Sequence, residues 1–192
     1  MKTRTSISNR KFSIVLCLML LAVFLFAGQS FAKMTGEEID AAADAAMDRF
    51  YKQVKDAEEV VKQAKGILVM PNVKKGALIV GGEYGKGAMR IGGKSVEYYS
   101  MAAGSVGLQI GGQAKDMIIA FMTSDALKNF RESKGWEAGV DGNVALISVG
   151  AGESATTATE NHPIAAFVFD VKGLMADMSI KGAKFNKLDM DK

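Results

Sequence analysis

Residues 85–99, "GKGAMRIGGKSVEYY", decide the fold of this chain. Gly93-Lys94-Ser95 ends like a phosphate-binding P-loop, which would put a strand before it, a helix after it and a parallel α/β sheet around it. The spacing refutes this. The motif G-x-x-x-x-G-K-[ST] needs its first glycine at position 88, which is Ala88, and the nearest one, Gly87, leaves one residue too many. Val96-Glu97-Tyr98-Tyr99 then has strand propensity, so no helix N-terminus would face a phosphate. Gly92-Gly93 reads instead as the centre of a tight hairpin turn with positive φ. Lys94-Ser95 opens the returning strand, and the expectation is no nucleotide.

Working outward, 19 of the 21 glycines stand at Gly66 or later, and the periodicity there is that of strands. "ILVM" (67–70) is a short buried run ended by Pro71, Lys74-Lys75-Gly76 a turn, and "ALIVGGEY" (77–84) the next strand. Val106, Leu108 and Ile110 alternate with polar or glycine positions, and "DMIIAFM" (116–122) follows. A short helix is predicted over 124–132, with Ser124 as cap and Gly135 as stop. Strands at 143–150, 164–170 and 174–181 complete the set, the last two joined at Lys172-Gly173. Residues 151–163, "AGESATTATENHP", read as an exposed loop. No alternation of helices and strands supports a doubly wound sheet. Glycine inside strands marks bends and close backbone approach.

Ahead of the strands, residues 36–65 read as one long helix. Thr35 and Glu38 make a capping box, and Gly66 is a stop. Ile39, Ala43, Ala46, Phe50, Val54, Ala57, Val61 and Ala64 form one apolar stripe. The stripe either packs on the sheet or another copy, or lies at a bilayer surface flanked by Lys52, Lys55 and Lys62. The fold expected is therefore α+β: a long N-terminal helix packed on a strongly curved, mostly antiparallel, barrel-like sheet, with one short extra helix.

Residues 1–32 have the pattern of a signal peptide. Lys2, Arg4, Arg10 and Lys11 precede an apolar run from Phe12 to Ala27, and Ser30-Phe31-Ala32 suits cleavage before Lys33. Cys17 follows Val15-Leu16, a poor lipidation context, and no cysteine remains after cleavage, which excludes disulfides and thiolate chemistry. Loss of those four cations, with no acid, takes the formal net charge from +3 to −1. The alkaline pI thus belongs to the leader and gives no reason to expect nucleic acid. The expectation is a periplasmic protein with one domain over 33–192, comprising the 36–65 helix and a glycine-rich sheet core over 66–192.

No catalytic constellation survives inspection. "AGSVG" (103–107) misses the nucleophile elbow at Ala103, and His162, the only histidine, stands in the loop before Pro163. A lone histidine with Glu153 and Glu160 does not make a usual zinc site. Asp141-Gly142-Asn143 lacks the carboxylates of a calcium loop. The expectation is a non-enzyme without cofactor or metal. Trp136, the only tryptophan, sits in "GWEAGVDG" (135–142) as a core anchor or a ligand-contacting ring.

Several segments, "AKGILVMPNVKKGALIVGGEYGKG", "YYSMAAGSVGLQIGGQAKDMIIAFM", "GWEAGVDG", "VGAGES" and "FVFDVKGLMADMSIKGAKFNKL", resemble the SYLF domain family in its bacterial secreted branch. The resemblance runs from about Ala64 to Leu188 and implies a lipid-binding domain. Eukaryotic members bind phosphoinositides and some regulate actin assembly. By location, it points to Phe50, Val54 and Val61 with Lys52, Lys55, Lys62, Lys65, Lys74 and Lys75 as lipid-binding residues. An exported chain meets no actin, which leaves anionic phospholipid or a membrane surface as the implied partner. The alternative expectation is an envelope structural or stress protein that forms homo-oligomers through the helix.

Overall fold

The computed structural model describes residues 34–77, 80–106, 113–148, 154–172 and 180–190, and its folded unit spans Thr35–Lys192. Helix α1, Gly36–Gln53, starts on the expected capping box. The Thr35 hydroxyl accepts from the Glu38 N–H at 3.2 Å, and the Glu38 carboxylate accepts from the Thr35 N–H at 2.8 Å. The single helix expected over 36–65 is, however, broken. Val54 is extended, Asp56 takes φ 61°, and a second helix, α2, runs Ala57–Gln63. Aspartate tolerates the left-handed region better than most residues, and the Asp56 carboxylate is held by the Ser154 hydroxyl. A straight rod would run on about 45 Å; the break instead turns α2 toward the segment that follows Ser154.

The strands are β1 (Gly66–Ala77), β2 (Val80–Ile91), β3 (Lys94–Val106), β4 (Gln113–Phe121), β5 (Trp136–Glu137), β6 (Ala145–Ser148), β7 (Ile164–Lys172) and β8 (Lys184–Leu188). They form one sheet in the order β5-β8-β3-β2-β1-β4-β7-β6, curled into a half-barrel. Every pairing is antiparallel except β6 on β7. Two short helices join in, α3 (Ser124–Glu132) after β4 and α4 (Ala155–Thr159) before β7. The α+β class and the curved, mostly antiparallel sheet are as the sequence indicates.

The hairpin that the opening stretch implies is present. β2 and β3 pair from Val80↔Val106 to Ile91↔Lys94, and Gly92 and Gly93 turn between them at φ 58° and 78°. Elsewhere the strand boundaries need correcting. Pro71 does not end β1, and Lys74-Lys75-Gly76 is not a turn; β1 stays paired with β4 to Lys75 and with β2 to Ala77. The ladder shifts register between Met70 and Val73, so proline's missing donor falls in a bulge. There Asn72, at φ 49°, donates its N–H to Asp116 Oδ1 at 2.9 Å.

The strand expected at 143–150 is confined to Ala145–Ser148 among the described residues, and the 151–163 loop contains α4 with Ala155 and Thr159 buried. Thr123, not Ser124, caps α3, while Gly135 has the positive φ of a stop, 105°. Leu108, Ile110 and most of the 174–181 strand lie outside the described residues.

The sheet has two apolar faces. On the outer one, Phe50 of α1 packs on Phe167 and Phe169 of β7, with ring centroids 5.3 and 5.4 Å away. Ile39, Ala43, Ala46, Val54, Ala57 and Val60 continue the buried stripe across the helix break. On the inner face, Leu68, Met70, Met89, Met101, Met117 and Ile119 meet Phe121, Phe130, Trp136 and Phe185 in one cluster. Alternation along β4 sends Met117, Ile119 and Phe121 inward, and the intervening Ile118 to the outer face opposite Phe167.

Candidate functional site: a groove between the two helices and the hairpin

The break between α1 and α2 opens a groove of about 590 Å³ on the outer side of the molecule. Asp44, Met47, Asp48 and Tyr51 of α1 form one wall, and Val61, Lys62 and Ala64 the other. Gly66 and Ile67 at the start of β1, with Arg90, Gly92 and Gly93 of the hairpin, form its floor and end. The hairpin is tied to α1 by polar contacts. Asp40 accepts hydrogen bonds from the Ser95 hydroxyl at 2.6 Å and the Tyr98 hydroxyl at 2.8 Å. Arg90 bridges to Asp44 at 2.7 Å through Nη2.

The groove has two chemistries. Met47, Tyr51, Val61 and Ile67 present apolar and aromatic surface, and Tyr51 is among the exposed large apolar side chains of the molecule. Lys62 and Arg90 stand opposite Asp44 and Asp48. Arg90 keeps a buried Nε with no partner among the described residues. Burial, followed by the charge of Glu58, raises the Tyr51 phenol above its ordinary value, so it stays neutral at physiological pH. A concave site of this size with apolar walls and a few fixed polar groups suits a small amphiphile. Among the described residues, no three His, Cys, Asp or Glu side chains stand together as metal ligands.

The residues singled out from sequence divide into several groups. Val61 and Lys62 line the groove; Lys52 is exposed at the end of α1 and Lys55 in the break between the helices. Phe50 and Val54 are buried, at 0% and 7% exposure, so the stripe is held by the protein's own sheet. Lys74 is exposed, but Lys75 is 4% exposed and points inward toward Glu83. Trp136, 2% exposed, packs on Phe130 and Phe185 with centroids 5.3 and 5.8 Å away, in the core position. The helical region is also not a cationic surface: residues 35–65 hold eight acids against five bases. Any attraction for an anion there is local to Lys62 and Arg90. Asp44, Met47, Tyr51 and Arg90 were not singled out, because only the helix break and the hairpin bring them to Val61.

Lys65 lines a second hollow of about 480 Å³ with Glu97, Leu127, Lys128, Arg131 and Glu132. Glu97 is its fixed point. Its carboxylate accepts from Arg131 at 2.9 and 3.0 Å, Lys187 at 2.7 Å and Tyr99 at 2.7 Å. Burial pushes this carboxyl up, but the hydrogen bonds from Arg131, Lys187 and Tyr99 outweigh it and hold it down at about 2. A carboxyl lowered on folding contributes stability that is present above its ordinary value of 4.5 and lost as the pH falls toward 2. Glu97→Gln is therefore expected to lower the urea midpoint at pH 7 and to flatten its decline between pH 5 and 2. Parallel pH profiles for the two proteins would remove this role from Glu97.

Among the described residues, no helix is long and apolar enough to cross a membrane. Comparison with protein families matches residues 102–190, from β3 to just past β8, to the Ysc84 family, described as Las17-binding protein actin regulator. A search of curated proteins gives no match.

Proposed function

We propose that this chain, whose residues 102–190 belong to the Ysc84 (SYLF) family, is a non-enzymatic phospholipid-binding protein of the periplasm, acting at the cell envelope. The observation that carries the proposal is the groove between α1, α2 and the hairpin, with apolar walls and Lys62 and Arg90 beside them. An anionic phospholipid would lay acyl or glycerol carbons on Tyr51, Val61 and Ile67. Its phosphate would meet Lys62 and Arg90, both of which line the groove. The signal-peptide pattern of residues 1–32 supports the location and separates this chain from the actin role in the family description. Self-association through the stripe is the weaker alternative, since Phe50 and its neighbours are already buried against the sheet.

Co-sedimentation of residues 33–192 with phosphatidylglycerol or cardiolipin vesicles at low salt tests the proposal. Binding is expected, and Val61→Glu or Lys62→Glu should weaken it about tenfold, equivalent to about 1.4 kcal/mol, without altering the melting transition. Val61 is half-buried and Lys62 exposed, which makes both changes tolerable to the fold. A protein that stays in the supernatant with every anionic vesicle would sink the lipid assignment. Unchanged binding by both variants would move it away from the groove.

A further inference from the structure

We infer that Lys75, Glu83 and Lys115 form a buried oxyanion site on the inner face of the half-barrel, distinct from the groove. Register brings the three together: Lys75 on β1 stands opposite Glu83 on β2, and Lys115 on β4 stands opposite Val73, two residues along β1. All three point inward. Lys115 has the parity of Met117 and Ile119, and Glu83 that of Met89, all members or neighbours in line of the inner cluster. Lys115 Nζ lies 2.8 Å from Glu83 Oε2, and Lys75 Nζ lies 3.5 Å from Oε1. Their side chains are 1%, 3% and 6% exposed for Lys115, Lys75 and Glu83.

The charge count makes this a site and not merely an ion pair. Two ammonium groups share one carboxylate, and among the described residues neither lysine forms another ion pair. A buried charge without compensation is costly, so such groups are paired, neutralised or bound to a counterion. Among the described residues, Glu83 offsets one positive charge and leaves one over. A singly charged oxyanion closes the balance while accepting the remaining N–H donors of both lysines. A phosphodiester of a lipid headgroup has that charge at neutral pH, as does the monoanionic form of free phosphate. Lysine binds phosphate as a point charge and needs no flat bidentate geometry.

The test is thermal unfolding of the purified protein in phosphate and in chloride at matched ionic strength and pH. A ligand that binds only the folded state raises its stability with concentration, so phosphate should raise Tm progressively where chloride does not. Lys115→Met should abolish the rise. Lys75→Met should weaken it at least tenfold in phosphate concentration, and decides the matter if Lys115→Met does not fold. Glu83→Gln removes the competing carboxylate, so it should unfold earlier in chloride and show a larger phosphate rise. No phosphate-specific rise in the wild type, or the same rise in the lysine variants, would overturn the site. Short-chain phosphatidylglycerol below its micelle concentration separates the sources: a rise of its own, lost in the lysine variants, assigns the lipid headgroup. Its failure where phosphate succeeds assigns the site to free phosphate. Groove variants such as Val61→Glu should leave the phosphate rise intact, so loss of vesicle binding there and loss of this site are separately visible.

Discussion

Phe50→Glu is expected to unfold the domain, and Phe50→Ala to destabilise it by about 3–5 kcal/mol. The ring has 0% exposure and stacks between Phe167, edge-on at 5.3 Å, and Phe169 at 5.4 Å. Truncation removes the transfer energy of the ring, leaves a cavity between helix and sheet, and loses the ring contacts with Phe167 and Phe169, of about 0.5–1.5 kcal/mol each, and the longer one with Tyr51. A carboxylate there has no buried cation to pair with. The nearest cationic element on α1, Arg49, is already engaged by Asp116 at 2.6 Å and Asp170 at 3.3 Å. Since a domain of this size is stable by only about 5–15 kcal/mol in total, the charged variant should show no cooperative melt. Circular dichroism and a urea titration measure both variants. A folded Phe50→Glu protein that had lost vesicle binding would mean that the stripe works at the bilayer and leaves the sheet to do so.

That outcome separates two things the stripe was consistent with from sequence. A 3.6-residue apolar repeat states that one face will be covered, but not by what. The structure assigns the cover of α1 to β1, β2 and β7, and the break at Val54–Asp56 turns α2 onto α4. Nothing in Val54-Lys55-Asp56 announces that break, because neither glycine nor proline is present and aspartate in the left-handed region is set by tertiary demand. The groove depends on the break, so it was equally hidden. Pro71 misled in the opposite sense: it looked like a strand end, and the long-range acceptor that stabilises its bulge, Asp116, lies 44 residues from Asn72.

Other parts were legible because local chemistry and fold agree. Gly92-Gly93 has no alternative to a positive-φ turn, and the P-loop count failed on the position of a single glycine. The buried cluster was half legible. Lys115 interrupts an inward alternation that continues as Met117, Ile119 and Phe121, and a lysine at an apolar parity position is a signal. Its partner Glu83 carries no such mark until register places it opposite Lys75.

Among the sheet glycines whose surroundings are described, Gly87→Ala is expected to be the most damaging single-methyl addition. A Cβ at Gly87 would lie 2.0 Å from the Val69 carbonyl oxygen, 2.5 Å from Met70 Sδ and 2.9 Å from the Val69 carbonyl carbon. Methionine can swing away; the backbone carbonyl of β1 cannot, because it sits just before the bulge that positions Pro71 and Asn72. The β1–β2 pair must therefore part locally, which should cost about 3 kcal/mol or more, at or beyond the usual range for overpacking. Two glycines of the same stretch provide the control. At Gly92 and Gly93 no atom lies within 4 Å of an added Cβ, and only the positive φ of 58° and 78° resists substitution. Alanine there should cost about 1–2 kcal/mol per residue. Urea midpoints for Gly87→Ala, Gly92→Ala and Gly93→Ala measure this order directly. A Gly87→Ala protein as stable as the turn variants would mean that β1 and β2 approach less closely than this. With β1 displaced, Lys75 would leave Glu83, so Gly87→Ala, if it still folds, should also lose the phosphate-dependent rise in Tm. The glycine that spoils the P-loop spacing is thus the one that lets the strands come close enough to build a cationic cluster.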